Sequence, residues 1–350
     1  MMREAVKRIL APVGTGPLGR TVARQLNHGP AIIGYHGVAE RVSHPGIESL
    51  QVDANLFEQQ MTYLKKHYQV ISLDYLSECL ASGYDLDQSQ IVITFDDGYK
   101  NVADVAAPIM KSLDLPFAIF VTTHNISTGQ RFAGYLARCA FTHCELPRIE
   151  FPSLGSSFDI VSNQARRHAS VTIREAIHTQ PMKIVSILIQ DILSMLPEDR
   201  WRELNEQYHS EQPMTWDDVV RLHRAGAVIG SHCHDHALLH GDETDKEISR
   251  QLTISKELVE AKTGSCKYFV YPSGTERDIS ARAAAEVDKT GYALGISSVR
   301  GEVTGACDSR ILPRLVGSKM PMMLELQLAA RSLFNRNYAS WSASMRASLA

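Results

Sequence analysis

A chain of 350 residues with 44% hydrophobic and 21% charged residues has the make-up of a globular protein with a large core, which excludes wholesale disorder. The formal net charge of −3, without a long basic run, argues against a nucleic-acid partner. No stretch of about 18 uninterrupted apolar residues occurs, so no transmembrane segment is expected.

The first 26 residues carry Arg3, Lys7, Arg8, Arg20 and Arg24 against the single acid Glu4 and read as a basic helical extension. It is either solvated or in peripheral contact with a membrane surface. The segment lacks the apolar core of a secretory signal, and the expected compartment is the cytoplasm. Apolar runs bounded by turn residues then recur at 31–38, 68–73, 91–98, 117–123, 227–234, 267–274, 292–298 and 311–317. Helix-patterned segments such as "DANLFEQQMTYLKKH" and "TWDDVVRLHRAG" lie between them. Near-continuously apolar strands alternating with helices predict an α/β fold with a parallel sheet under helices, and seven or eight such units fit a barrel better than an open sheet.

Between 125 and 212 no strand of the same quality occurs, and the segment reads as a helical insertion, either a substrate-facing lid or inert decoration. Within it "CAFTHC" places Cys139, His143 and Cys144 together, but no second half of a zinc site follows. The six cysteines, dispersed through the chain, read as reduced thiols. Residues 27–318 form the expected catalytic domain, with 319–350 as a helical tail.

Reactive side chains fall at the ends of the runs. His36 ends the first, Asp96 and Asp97 end the third in "IVITFDDG", the histidines of "GSHCHDH" end the fifth, and "YPSG" ends the sixth. In a βα barrel those ends share one rim, where loops assemble active sites. Two adjacent carboxylates resist burial unless a cation, a proton or a salt bridge answers them. A carboxylate with two imidazoles is a ligand set for a divalent transition metal, and a second carboxylate held nearby can take a proton from water. With 14 histidines in the chain, the i, i+4 spacing of His232/His236 and of His236/His240 is weak by itself, and its placement at a strand end is the stronger signal.

These residues resemble the polysaccharide deacetylases of the NodB-homology type, carbohydrate esterase family 4. "TFDDGY" at 94–99 looks like the family's first motif and "SHCHDH" at 231–236 like its second. "YFVYPSG" resembles the third, and "LPRL" at 312–315 is similar to a late arginine segment. The resemblance implies a deformed (β/α) barrel of about seven strands, with Asp97, His232 and His236 holding a divalent metal, zinc before cobalt or nickel. It implies Asp96 as general base, the backbone N–H of Ser273 as oxyanion donor, and an N-acetylated sugar or glycan as substrate, hydrolysed at a carbon–nitrogen bond that is not a peptide bond.

Ser273 stands where the family often has an aromatic residue and Asp235 where it has a Ser or Thr, and two further departures from the family pattern bear on catalysis. No histidine follows residue 240 to act as the usual acid, so His36, a motif-two histidine or water must protonate the leaving amine, and His36 is the expected acid. The arginine that normally pairs with the base is missing from the third motif, and Arg314 is the expected substitute, with a purely structural salt bridge as the alternative. Other readings kept open are a related amidohydrolase acting on a formamido sugar or a ureide, and a non-catalytic scaffold in glycan assembly.

Overall fold

The computed structural model describes residues 27–84, 86–317, 319 and 321–348. The basic extension expected at 1–26 lies outside the described residues. Strands β1 (Ala31–Tyr35), β2 (Gly37–Ala39) and β3 (Gln51–Asp53) lead into helix α1 (Ala54–His67), followed by β4 (Gln69–Val70), α2 (Leu73–Ser82) and β5 (Gln90–Phe95). A π-helical turn at Val102–Ala106 runs into α3 (Ala107–Ser112), then β6 (Ala118–Val121) and α4 (Thr123–Thr128). The insertion holds α5 (Ala133–His143), β7 (Arg148–Phe151), β8 (Ser156–Asp159), α6 (Asn163–Thr179), α7 (Met182–Leu193) and α8 (Glu198–Gln207). Alternation resumes with α9 (Trp216–Arg224), β9 (Val228–Ser231), α10 (Asp245–Thr263), β10 (Tyr268–Val270), α11 (Ala281–Lys289), β11 (Leu294–Ile296) and β12 (Leu315–Val316). Helices α12 (Pro321–Ala329) and α13 (Asn335–Ala347) follow. Among the described residues no helix is long and apolar enough to cross a membrane.

The strands form one curled parallel sheet in the order β11-β10-β9-β6-β5-β1-β12, with β4 against the start of β5. This is the deformed (β/α) barrel of seven strands along its path, and every predicted run supplies one strand. The segment that approaches both ends of the sheet is 309–316: Leu312 bridges Ile296 of β11, and Leu315 pairs with Ile33 of β1. Arg314 sits in the seam between these two short pairings.

Both faces of the strands are buried, which is why they read as continuous apolar runs. Even-numbered residues such as Ile32, Val92, Phe120, Val270 and Ile296 pack together inside with Leu73 and Leu76 of α2. Ile33, Ile93, Ile119 and Phe269 face outward against Phe57 of α1, Val219 of α9, Leu252 of α10 and Val287 of α11. The insertion differs from its helical reading by one element, the antiparallel hairpin β7–β8. Its strand "RIEF" buries only Ile149 and Phe151 while Arg148 and Glu150 stay exposed, an alternation too short to stand out in the sequence.

Gly34 has a specific steric task. A Cβ there would lie 2.8 Å from Cζ and Nη1 of Arg314, so only glycine lets the guanidinium cross β1. Gly34→Ala is expected to lower stability by about 1–3 kcal/mol through overpacking. A denaturant midpoint equal to that of the parent would show instead that the arginine moves aside freely.

Candidate active site

Strand parity builds the site. Successive side chains alternate between faces, so the residues one step past β1, β5 and β9, namely His36, Asp96 and His232, continue the inward-facing series into the barrel mouth. Arg314 has the same parity as inward-facing Leu312. Asp97 would point outward by this rule, but its φ of 70° lies in the left-handed region and breaks the alternation. Cys233, His236 and Ser273 share that conformation, with φ of 63°, 57° and 57°. Of the five left-handed non-glycine residues among the described ones, these four lie at the barrel mouth, and the fifth, Asp114, lies in the turn after α3.

Asp97, His232 and His236 converge. His232 Nε2 lies 3.3 Å and His236 Nε2 3.2 Å from Asp97 Oδ1, and the ligand atoms of all three lie within 4.8 Å of one another. His232 Nδ1 is 2.7 Å from the carbonyl oxygen of Val270, to which it donates, so in the neutral ring Nε2 carries only a lone pair. That lone pair faces a buried carboxylate oxygen which has no hydrogen-bond partner among the described residues. Acceptors set against each other in a buried pocket need a shared positive charge, and this donor set fits a divalent metal. Burial pulls the His232 pKa down, yet the neighbouring aspartates outweigh it and hold the pKa above the usual imidazole value. Burial likewise opposes ionisation of Asp97, and the two imidazoles override it, leaving its carboxyl well below the ordinary range.

Asp96 is answered differently. Arg314 donates to both its oxygens, Nη1 to Oδ1 at 2.7 Å and Nη2 to Oδ2 at 2.6 Å, and reaches Thr94 Oγ1 at 3.3 Å and Ser298 Oγ at 3.2 Å. Burial raises the cost of the charged carboxylate, but the guanidinium more than offsets it, so Asp96 titrates below its usual value and stays ionised. The two adjacent aspartates are thus answered separately, Asp96 by the Arg314 guanidinium and Asp97 by the imidazoles of His232 and His236. His36 is pulled below the ordinary imidazole value by burial, against the fields of Asp97 and Asp96. The backbone N–H of Ser273 has no partner among the described residues, and Ser273 lines the same cavity as the two aspartates.

That cavity has a volume of about 800 Å³. The insertion supplies much of its wall, including Phe132 just before α5, Ile177 of α6 and Val185 of α7. His178, Arg131 and Arg138 also line it and were not singled out by sequence reasoning, because only folding brings the insertion over the barrel. Tyr99, inside the "TFDDGY" motif, is buried in the same wall. His240 lies elsewhere: it is buried, with Nε2 3.3 Å from the carbonyl oxygen of Gln180, so the His236/His240 spacing has no part in the Asp97–His232–His236 group. Cys139 and Cys144 are buried core thiols, and burial pushes Cys139 up to about 11.

A parallel barrel with a candidate metal centre and a partnered carboxylate at its mouth defines a hydrolase-like site. A sequence profile of the polysaccharide deacetylase family matches residues 83–294, over half of the chain, and the chain belongs to that family. It is a carbohydrate N-deacetylase, a hydrolase acting on carbon–nitrogen bonds other than peptide bonds. Among solved structures, the Streptococcus pyogenes deacetylase PplD, in complex with acetate, is similar with a TM-score of 0.56 at 16% identity, covering 86% of this chain and 98% of that one. IcaB from Ammonifex degensii is similar with a TM-score of 0.56 at 16% identity, covering 87% and 97%. At that identity the likeness speaks for the fold. No curated protein matches the sequence.

Proposed function

We propose that Asp97, His232 and His236 hold zinc, with cobalt or nickel able to replace it, and that Asp96 is the base for hydrolysis of an N-acetyl group on an amino sugar. The observation that carries this reading is the buried Asp97 Oδ1, unsatisfied and facing two imidazole nitrogens, beside a second carboxylate kept ionised by Arg314. When bound, the cation supplies Lewis acidity toward water and toward the amide carbonyl. Asp96 takes a proton from the attacking water while Arg314 fixes the carboxylate's orientation. The water oxygen bonds to the carbonyl carbon, and the Ser273 N–H donates to the oxygen on which negative charge develops. The C–N bond then breaks, and the proton removed by Asp96 passes through His36, neutral until then, to the leaving nitrogen. The products are acetate and the amine. A cavity of about 800 Å³, walled on one side by α6 and α7, is in the range that encloses a small ligand, which favours a single amino sugar or a glycan end over the middle of a polymer.

Acetate release from N-acetylglucosamine and its oligomers tests the proposal, with the parent protein chelated and then reloaded, and with a formamido sugar and a ureide assayed alongside. Activity should disappear on chelation, return with zinc or cobalt, and fail to return in Asp97→Asn. A reloaded parent that hydrolyses only the formamido sugar or the ureide would transfer the mechanism to that amide. A parent that takes up no metal would overturn the assignment of Asp97, His232 and His236 as metal ligands.

A further inference from the structure

We propose that His124, His234 and Asp235 form a second divalent-cation site, on the lip of the cavity and separate from the Asp97 group. His124 lies in the first turn of α4, directly after β6, and His234 and Asp235 follow β9, its neighbour in the sheet. The two segments are tied by backbone bonds from His124 N to the His234 oxygen at 2.9 Å and from Thr123 N to the Cys233 oxygen at 3.4 Å. The left-handed turn at Cys233 separates His232, facing into the barrel, from His234 and Asp235.

The outer atom of each candidate ligand is already engaged. His124 Nε2 meets Gln130 Oε1 at 3.4 Å, and His234 Nδ1 meets Thr123 Oγ1 at 2.8 Å. Asp235 Oδ2 accepts from Gln251 Nε2 at 2.9 Å and from Arg250 Nη2. Gln251, fully buried, also receives the backbone N–H groups of His234 and Asp235 on its Oε1 at 2.9 and 2.8 Å, so one side chain fixes the whole loop. The inner atoms face one another without a close bond: His124 Nδ1 stands 3.5 Å and His234 Nε2 3.9 Å from Asp235 Oδ1. All three lie within 4.8 Å of each other.

Two features distinguish this group from a casual histidine–carboxylate cluster. With metal–ligand bonds of about 2.0–2.2 Å, neighbouring ligand atoms in a tetrahedral site are about 3.4 Å apart, close to the spacing here and longer than a good hydrogen bond. Outer atoms held by hydrogen bonds while inner atoms converge is the arrangement that orients metal ligands. Arg250 does not remove the site, because it engages the other carboxylate oxygen. Two imidazoles and a carboxylate select zinc, nickel, cobalt or copper(II) rather than magnesium or calcium. His124 and Asp235 both line the cavity, so the ion would sit where substrate enters. The side chains are 34%, 18% and 16% exposed, so this ion should be held less tightly than one at the buried Asp97 group.

The site does not depend on which amide is hydrolysed, and metal counting tests it. Equilibrium dialysis of the untagged chain against zinc should find two ions bound per chain. His124→Ala and the more conservative His124→Gln should each bind one, Asp97→Asn should bind one, and His124→Ala/Asp97→Asn none. Because His124 is partly exposed, its replacement leaves the core intact, and a thermal melt matching the parent confirms that. A parent that saturates at one zinc, or a His124→Ala variant that still binds two, would overturn the proposal.

Discussion

Asp96→Asn is expected to lower kcat for acetate release about a thousandfold while leaving the metal content unchanged. The loss follows from removing the proton acceptor, since positioned acid–base groups contribute about 10²–10⁴ in rate. Asp96 belongs to the salt bridge with Arg314 and not to the Asp97–His232–His236 group proposed to hold the ion, which is why metal binding and turnover should separate. Stability should also fall, because the substitution strands a guanidinium that is 2% exposed, and breaking one side of a buried ion pair costs about 3–5 kcal/mol. The double variant Asp96→Asn/Arg314→Met removes the stranded charge and should recover more than half of the lost stability without recovering turnover. Denaturant melts and acetate assays on the parent and both variants would separate the two effects. If Asp96→Asn turned over within tenfold of the parent, the base would lie elsewhere.

The barrel was legible in the sequence because strands buried on both faces leave a dense signal: "IVITF" and "AIIGY" have no polar side to dilute them. His36, Asp96 and His232 were legible as well, since each stands where the apolar part of such a run ends, directly after β1, β5 or β9, and strand parity carries it inward. The conformation of Asp97 was not, because nothing in "FDDG" states which of two adjacent aspartates turns left-handed; contacts made after folding decide it. The insertion hid more. Ile149 and Phe151 are two apolar residues in a short alternating strand, and Phe132, Ile177 and Val185 look like ordinary helix-core positions until the insertion packs over the barrel. His124 and His234 lie 110 residues apart in sequence, and only the pairing of β6 with β9 makes them neighbours. Glu211, in "YHSEQP", reads as a solvated loop acid, yet it is fully buried where the insertion rejoins the barrel.

That buried acid sets the remaining expectation: between pH 5 and pH 8 the parent should lose about 2.5 kcal/mol of stability relative to Glu211→Gln. Burial is the main cause of the raised Glu211 pKa, and the opposing pull of Arg138, 3.5 Å away, and of the Gln51 amide at 3.1 Å leaves it at about 7 against an ordinary 4.5. Below the unfolded value both states are protonated and the buried acid carries no charge. Between about 4.5 and 7 the folded protein holds a proton that the unfolded chain has released, so raising the pH favours unfolding. Above about 7 the folded state must keep a buried carboxylate, and the rise from 4.5 at about 1.4 kcal/mol per pH unit amounts to about 3.5 kcal/mol in full, of which about 2.5 kcal/mol falls between pH 5 and pH 8. A glutamine keeps an oxygen for Gln51 and does not titrate, so subtracting the two stability curves cancels every other ionising group. Denaturant melts of both proteins at pH 5 and pH 8 give the difference directly, and parallel curves would mean that Arg138 keeps Glu211 ionised throughout. Gln51 also accepts from Asn101, whose amide reaches the Ser210 carbonyl, so the stability lost with rising pH falls on the junction that holds the insertion over the cavity.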